Sequence, residues 1–240
     1  MLIYNILLFV ITVIGGSLPI WTNGLNTKNM HYLLAFSGSF LLSITFLHLL
    51  PETFTSLGNS SGILLLTGFF VQLLIQRLTH GTEHGHVHSS EHSHQVLLAS
   101  IVVGLTIHAI MDGIPLGAHS YSKVTVSSLY LAIASHKLPE AMLVVSLIKS
   151  TKNKTQAFYM LLAFSAITPA AAMLTGYMTN TYSVANRALP YIIPVVAGAF
   201  INIATTIFFE SGTRQHKLSW QMVVAMLSGV GIGLLTLSFE

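Results

Sequence analysis

Two pairs of side chains that can bind a metal ion lie four residues apart within apolar parts of the sequence. His108 and Asp112 form the first pair, and His136 and Glu140 form the second. Residues at positions i and i+4 lie on one face of a helix, about one turn apart. Two helices that face each other would make a four-ligand cage of two imidazoles and two carboxylates, a donor set that suits Zn²⁺, Fe²⁺ or Mn²⁺. The spacing therefore predicts a divalent-metal site.

The composition places this site in a membrane. Hydrophobic residues make up 52% of the 240 residues and charged residues only 7%, whereas a soluble domain carries about 25% charged residues. Ionisable side chains are costly in hydrocarbon, so those within apolar spans are candidates for a functional site. The net charge of +3 is too small to indicate nucleic-acid binding, and the absence of cysteine excludes thiolate ligands.

Eight apolar runs are long enough to cross a bilayer as helices. We expect a single all-α integral membrane domain over residues 1–240, because open backbone cannot satisfy its hydrogen bonds in lipid. The first run has no basic segment before it and no small-residue cleavage site after it, so we interpret it as a retained span. The runs are Leu2–Trp21, His31–Leu50, Gly62–Leu78, Val96–Ala118, Val126–Ile148, Ala157–Met178, Leu189–Phe209 and Trp220–Phe239.

The charges of the loops predict the orientation of these spans. Loops after odd-numbered spans hold seven Lys or Arg residues, and loops after even-numbered spans hold two. Cytoplasmic loops of membrane proteins are enriched in Lys and Arg. We therefore expect the first set of loops in the cytoplasm and both termini on the extracytoplasmic side of a multi-pass protein in the cytoplasmic (plasma) membrane.

One low-complexity segment, at about residues 78–95, separates the third span from the fourth. It holds half of the histidines of the chain among Gly, Ser and Glu, and tracts of this composition are typical of metal binding. The predicted orientation places this segment in the cytoplasm, where we expect it to bind metal without a fixed fold of its own. Its histidines are His80, His84, His86, His88, His92 and His94.

Five further residues are candidates for a metal pathway, each with a structural alternative. His48 and Glu52, four residues apart at the outer end of the second span, could be entrance ligands or a polar helix end. His119 could line the same vestibule. Asn202, in the middle of the seventh span, could supply an oxygen ligand or an interhelical hydrogen bond. Glu210 could be an exit ligand or an ordinary carboxylate at the end of a span.

The paired motifs resemble those of the ZIP family of zinc–iron permeases. The fourth span of that family carries His-Asn-x-x-Asp/Glu-Gly or close variants, and its fifth carries His/Gln-x-x-Pro-Glu or His-Glu-x-Pro-His-Glu. The histidine-rich segment, His48-Leu-Leu-Pro51-Glu52 and Gly198-Ala-Phe200…Phe209-Glu210 are also similar to family elements. The resemblance implies an eight-helix bundle that moves divalent metal toward the cytoplasm, and a homodimer. The matching residues of the paired motifs are His108, Asp112, Gly113, His136, Pro139 and Glu140.

One departure from the family pattern concerns the number of metals. Many members hold a second metal through the residue that follows the first histidine of each motif, and here those positions are Ala109 and Lys137. Alanine offers no ligand, and an ammonium group has no lone pair. The chain is most similar to a branch with His-Ala…Asp-Gly and His-Lys-x-Pro motifs. We therefore expect one metal, with Lys137 in place of the second and paired with Glu140 three residues later.

Uptake of Zn²⁺ toward the cytoplasm is the function that the sequence favours. Fe²⁺, Mn²⁺ and Cd²⁺ remain alternative substrates, and no organic cofactor is expected. The sequence has no G-x-x-x-x-G-K-[ST] motif for ATP, so transport would run down a gradient or be coupled to an ion.

Two other functions stay open at this point. An intramembrane hydrolase of the lipid-amidase type could hold zinc with His108, His136 and Asp112 and use Glu140 as a base. No serine or tyrosine occupies a clear oxyanion role, however, and the histidine-rich segment would be unexplained. A metal sensor that does not transport is the other alternative.

Overall fold

Helices make up nearly all of the described chain. The computed structural model describes residues 1–22, 27–78, 98–118, 123–211 and 219–239, and no strand occurs in these ranges. A π-helical turn, Thr45–Leu49, joins α2 to α3, and a 3₁₀ turn, Leu237–Phe239, follows α9. The α-helices are α1 (Leu2–Trp21), α2 (Thr27–Ile44), α3 (Leu50–Leu57), α4 (Ser60–Leu78), α5 (Leu98–Leu116), α6 (Lys123–Thr151), α7 (Lys154–Thr181), α8 (Ser183–Ser211) and α9 (Trp220–Thr236).

The described helices account for the eight predicted spans. Seven helical stretches in the described ranges are long and apolar enough to cross a membrane, and one of them, Asn29–Leu57, runs through α2, the π turn and α3. The eighth is α5, whose apolar part, Val102–Leu116, is shorter. The prediction of an all-α, multi-pass integral membrane protein is therefore confirmed.

The π turn is a local feature that the sequence analysis missed. Several helices contain a proline without being interrupted by it, since α1 continues through Pro19, α6 through Pro139 and α7 through Pro169. The change of helical geometry lies instead before Pro51, where the Leu50 N–H donates to the carbonyl of Thr45, five residues back. The wider turn leaves room for the proline ring, which clashes with the preceding turn of a regular α-helix.

The spans pack as two bundles. Bundle A consists of α1, α5, α6 and α7, and bundle B consists of α2 with α3, α4, α8 and α9. The most extensive packing lies within the bundles, where α1 packs on α6, α5 on α7, α4 on α8 and α2 on α9. Between the bundles, α2 and α6 form the largest contact. The helix ends fall on two faces. The α3 face holds α3 and the start of α4, and the segment face holds Leu78 and Leu98, between which the histidine-rich segment runs.

Small residues allow α5 to lie directly on α7. Gly113 of α5 and Gly117, the residue directly after α5 ends, lie against the backbone carbonyls of Thr168 and Ala172 in α7, so that a Cβ atom at either glycine would overlap with them. The Thr168 hydroxyl also donates a 2.9 Å hydrogen bond to the carbonyl of Ala109. Close approach of this kind, through small residues and interhelical hydrogen bonds, stabilises helix pairs in membranes. This packing fixes the position of His108 and Asp112, the first predicted metal-binding pair, along the axis of bundle A.

Candidate metal centre

Two histidines from neighbouring helices meet at the centre of bundle A. His108, near the middle of α5, and His136, near the middle of α6, are both buried, and their Nε2 atoms lie 3.2 Å apart. When two nitrogens bind the same tetrahedral zinc ion, each at about 2.0–2.1 Å, the nitrogens lie about 3.3–3.4 Å from each other. The observed separation therefore fits two imidazoles on a single metal ion.

Glu140 completes a cluster of three metal-binding side chains. Its Oε1 atom lies 3.8 Å from His108 Nε2, and the ligand atoms of His108, His136 and Glu140 all lie within 4.8 Å of one another. Glu140 is as deeply buried as the two histidines. All three residues belong to α5 and α6, so the entire cluster is carried by bundle A.

Asp112, the fourth predicted ligand, lies beside this cluster and is paired with Lys137. Its Oδ2 atom is 3.5 Å from His108 Nε2 but only 2.7 Å from Lys137 Nζ. The Oδ1 atom is buried and has no hydrogen-bond partner among the described residues. Asp112 thus contributes negative charge next to the cluster and one oxygen atom that a cation or water could use.

The ammonium group of Lys137 lies between the two carboxylates. Nζ is 2.5 Å from Glu140 Oε2 as well as 2.7 Å from Asp112 Oδ2, and the Phe164 ring lies 5.4 Å from it. The pairing with Glu140 follows the i, i+3 spacing. The pairing with Asp112 links α6 to α5 and depends on how the two helices pack. One positive charge therefore neutralises one of the two carboxylates, and a net negative charge remains for a metal ion.

The other candidate residues lie outside this cluster or outside the described residues. His48 is buried in the π turn, where its Nε2 atom lies 2.7 Å from Thr236 Oγ1 of α9, and Glu52 is half-buried on α3. Asn202 is buried on α8. All three belong to bundle B. His119, the six histidines of the segment at 78–95 and the side chain of Glu210 lie outside the described residues.

Sequence comparison places the chain in a family. A family model for the ZIP zinc transporters matches residues 79–237, more than half of the chain. The chain belongs to the ZIP zinc transporter family. The matched range contains the whole cluster described above, together with Asp112 and Lys137.

Curated relatives agree with this assignment. Zinc transporter ZIP9 of Micropogonias undulatus is 34% identical over 119 residues, which are 48% of this chain and 38% of the relative. Zinc transporter ZIP9 of Xenopus tropicalis is 32% identical over 121 residues, 48% of this chain and 39% of the relative. Zinc transporter 8 of Oryza sativa subsp. japonica is 26% identical over 182 residues, 64% of this chain and 45% of the relative. The chain thus spans less than half the length of the curated relatives it matches.

Membership of this family bears on two of the functions considered above. ZIP proteins are transporters and not enzymes. The alternative of an intramembrane zinc hydrolase therefore has no support.

Proposed function

We propose that this chain carries a divalent cation, foremost Zn²⁺, across the membrane through one site formed by His108, His136 and Glu140. The observation that carries the proposal is the 3.2 Å separation of the two Nε2 atoms within a buried cluster at mid-helix. Buried imidazoles and carboxylates are costly in a bilayer, so ionisable side chains inside a membrane are candidates for a functional site. A cation that passes through this position explains why they are there.

Three protein ligands suit a site that must also release its cargo. Zinc sites that exchange a ligand hold the metal with three side chains and leave the fourth position to water or substrate, whereas closed structural sites use four. The described cluster has three residues whose ligand atoms lie together, and Asp112 is paired with Lys137. The cation would keep one water or take Asp112 Oδ1 as a fourth ligand.

Lys137 limits the site to one divalent ion. Unit charges about 4 Å apart interact by about 4 kcal/mol at an effective dielectric constant near 20. A second divalent ion next to Asp112 and Glu140 would meet the ammonium group at comparable distance, and the repulsion would be about twice that value. The same repulsion weakens the binding of the first ion, which favours its release.

The two bundles provide a way to expose the site to either face. Because His108, His136 and Glu140 all lie on bundle A, a rocking motion of bundle A against bundle B would open the site to one side and then the other without breaking the cluster. The positive-inside distribution of Lys and Arg directs the segment face, and with it the histidine-rich segment, to the cytoplasm. In this proposal both termini lie on the extracytoplasmic side of the plasma membrane, and the chain works as a single domain within a homodimer.

The proposal is tested with the purified chain in sealed liposomes that contain a metal-sensitive dye. We expect Zn²⁺ to enter these vesicles faster than it enters protein-free vesicles, and competition by Fe²⁺, Mn²⁺ and Cd²⁺ to rank the substrates. Binding of Zn²⁺ without any entry would favour a metal sensor and would contradict transport.

A further inference from the structure

A second group of buried polar side chains lies between α4 and α8 in bundle B. It consists of Gln72 and Gln76 on α4 and Asn202 and Thr206 on α8, and we name it the amide ladder. Gln72 and Asn202 are 0% and 2% exposed, although amides are costly to bury in a membrane unless they have partners. These residues belong to neither the His108–His136–Glu140 cluster nor the histidine-rich segment.

The register of the two helices places the ladder members level with one another. Gly198 of α8 lies against the backbone of α4 at Leu65 and Phe69, so its face of α8 points toward α4. Asn202 lies one turn further along the same face. One more turn along, Gln76 Nε2 donates a 3.3 Å hydrogen bond to Thr206 Oγ1. Gln72 precedes Gln76 by one turn of α4, and Asn202 precedes Thr206 by one turn of α8. Asn202 is therefore level with Gln72.

Asn202 has a side-chain oxygen atom that no donor among the described residues uses. Its backbone carbonyl accepts hydrogen bonds from the Thr205 and Thr206 hydroxyls, both at 2.9 Å. Its side-chain Oδ1 atom is buried and has no hydrogen-bond donor among the described residues. A buried acceptor left without a donor costs about 1–3 kcal/mol. An amide that served only to hold two helices together would be expected to use this oxygen.

The described part of bundle A holds fewer buried polar side chains between the metal cluster and the segment face. From His108 and His136 toward that face, its described interior is an apolar cluster, and a cleft of about 260 Å³ between α5, α6 and α7 has an almost entirely apolar lining. A cation that left the cluster along bundle A would therefore meet mainly apolar side chains among the described residues, with the buried Ser165 hydroxyl as an isolated oxygen. The residues of the apolar cluster that lie on this side include Leu105, Val144, Ile148, Leu161 and Phe164.

We infer that the amide ladder is a transient oxygen-ligand site for the transported divalent cation, with Asn202 Oδ1 as its first ligand. This inference rests on the proposed function and adds a second position to the route. Both α4 and α8 contact α5, the helix that carries His108, and α4 leads directly into the histidine-rich segment. The ladder thus lies on the bundle-B side of a route from the cluster to that segment.

The chemistry of the ladder suits transit rather than storage. Amide oxygens carry no net charge, so they bind a divalent cation more weakly than the histidine and carboxylate groups of the cluster. A conducting site must bind strongly enough for an ion to enter and weakly enough for it to leave. The neutral ladder meets this condition between the strong cluster and the histidine-rich segment.

The test compares Zn²⁺ uptake by the native chain with that of Asn202→Leu and Asn202→Asp in dye-loaded liposomes. Zn²⁺ affinity and melting temperature are measured on the same proteins in detergent. We expect Asn202→Leu to lower the uptake rate about 10-fold or more, in line with losses of supporting groups at metal sites, with unchanged affinity and melting temperature. Asn202→Asp retains a side-chain oxygen, so its uptake should exceed that of Asn202→Leu, while its added charge should bind the cation more strongly and keep uptake below the native rate. Gln76→Leu removes the hydrogen bond to Thr206 but leaves Asn202 intact, so it reports what that bond adds to helix packing. Thr205→Val is the matched control for uptake, because the Thr205 hydroxyl lies on α8 outside the ladder and donates to backbone carbonyls.

Uptake by Asn202→Leu at the native rate would overturn the inference while leaving the proposed function standing. A fall in melting temperature shared by Asn202→Leu, Asn202→Asp and Gln76→Leu, with uptake falling in proportion, would also overturn it, because the ladder would then only hold α4 to α8. Failure of the native chain to move Zn²⁺ would contradict the proposed function itself, and with it the inference.

Discussion

At the scale of single residues, the ammonium group of Lys137 contacts both carboxylates near the metal cluster. It lies within hydrogen-bonding distance of Asp112 Oδ2 and Glu140 Oε2 and is 2% exposed. Its removal would leave two buried carboxylates without their cation, and breaking a buried pair in this way costs about 3–5 kcal/mol. A bound divalent ion would then supply the missing charge.

We therefore predict that Lys137→Met lowers the melting temperature of the metal-free protein and enlarges the rise in melting temperature caused by Zn²⁺. The reason is that the metal is no longer repelled by the ammonium and now neutralises both carboxylates. Lys149→Met is a matched control on the same helix, because Lys149 Nζ donates instead to the carbonyl of Pro19, at 2.6 Å, near the segment face. Equal Zn²⁺-induced shifts in the two variants would contradict the role assigned to Lys137.

The number of metal ions in the cluster is a second prediction at this scale. We expect one Zn²⁺ per chain, measured by elemental analysis on a variant in which the six histidines of the segment at 78–95 are replaced by Ser, so that only the membrane site is counted. Ala109→Asn combined with Lys137→Asp in that background removes the repelling charge, adds a ligand at each position and should raise the count to two. Two ions per chain with Lys137 in place would show that its ammonium does not exclude the second metal.

At the scale of helices, the position of His108 depends on the packing of α5 against α7. A side chain at Gly117 would overlap with the carbonyl of Ala172 and with Gly176. Overpacking of this kind typically costs about 1–3 kcal/mol. We predict that Gly117→Val lowers the melting temperature and also slows Zn²⁺ uptake, because α5 can no longer hold His108 at its height beside His136.

Gly231→Val in α9 is the control for this prediction. A Cβ atom there meets nothing within 4 Å, so the same change of residue type adds no overlap inside the chain. We expect its melting temperature and uptake to stay near those of the native chain. If Gly117→Val and Gly231→Val melted at the same temperature, the close packing of α5 on α7 would not be what positions the cluster.

At the scale of the whole molecule, the orientation in the membrane can be tested because the chain contains no cysteine. Asn59, between α3 and α4, and Lys152, between α6 and α7, are exposed and lie on opposite faces. We predict that a cysteine at Asn59 reacts with a membrane-impermeant maleimide on intact cells, whereas a cysteine at Lys152 reacts only after the membrane is permeabilised. The reverse pattern would place the histidine-rich segment outside the cell.

The sequence predicted those features that depend on local spacing or on composition. The eight spans follow from hydropathy, and the placement of His108, and of His136 with Glu140, on helix faces follows from a spacing of four residues. The contact of Lys137 with Asp112 could not be predicted in the same way, because it depends on the rotation of α6 relative to α5. The same holds for the amide ladder. Gln72 was not predicted as a site residue, because its role depends on its register with Asn202. The one signal in the sequence that could have identified Gln72 is a polar amide in the middle of an apolar span.

The measurement that tests the central claim most directly is Zn²⁺ uptake by His136→Ala in dye-loaded liposomes. Removal of this imidazole leaves two members of a three-residue cluster, and changes even to groups that support metal ligands cost about 10–100-fold in affinity or activity. The account predicts a loss of uptake at least this large in a protein that still folds and inserts, while His31→Ala, a histidine on α2 in bundle B, transports at the native rate. Uptake by His136→Ala at the native rate would contradict the claim that the cation passes through this cluster.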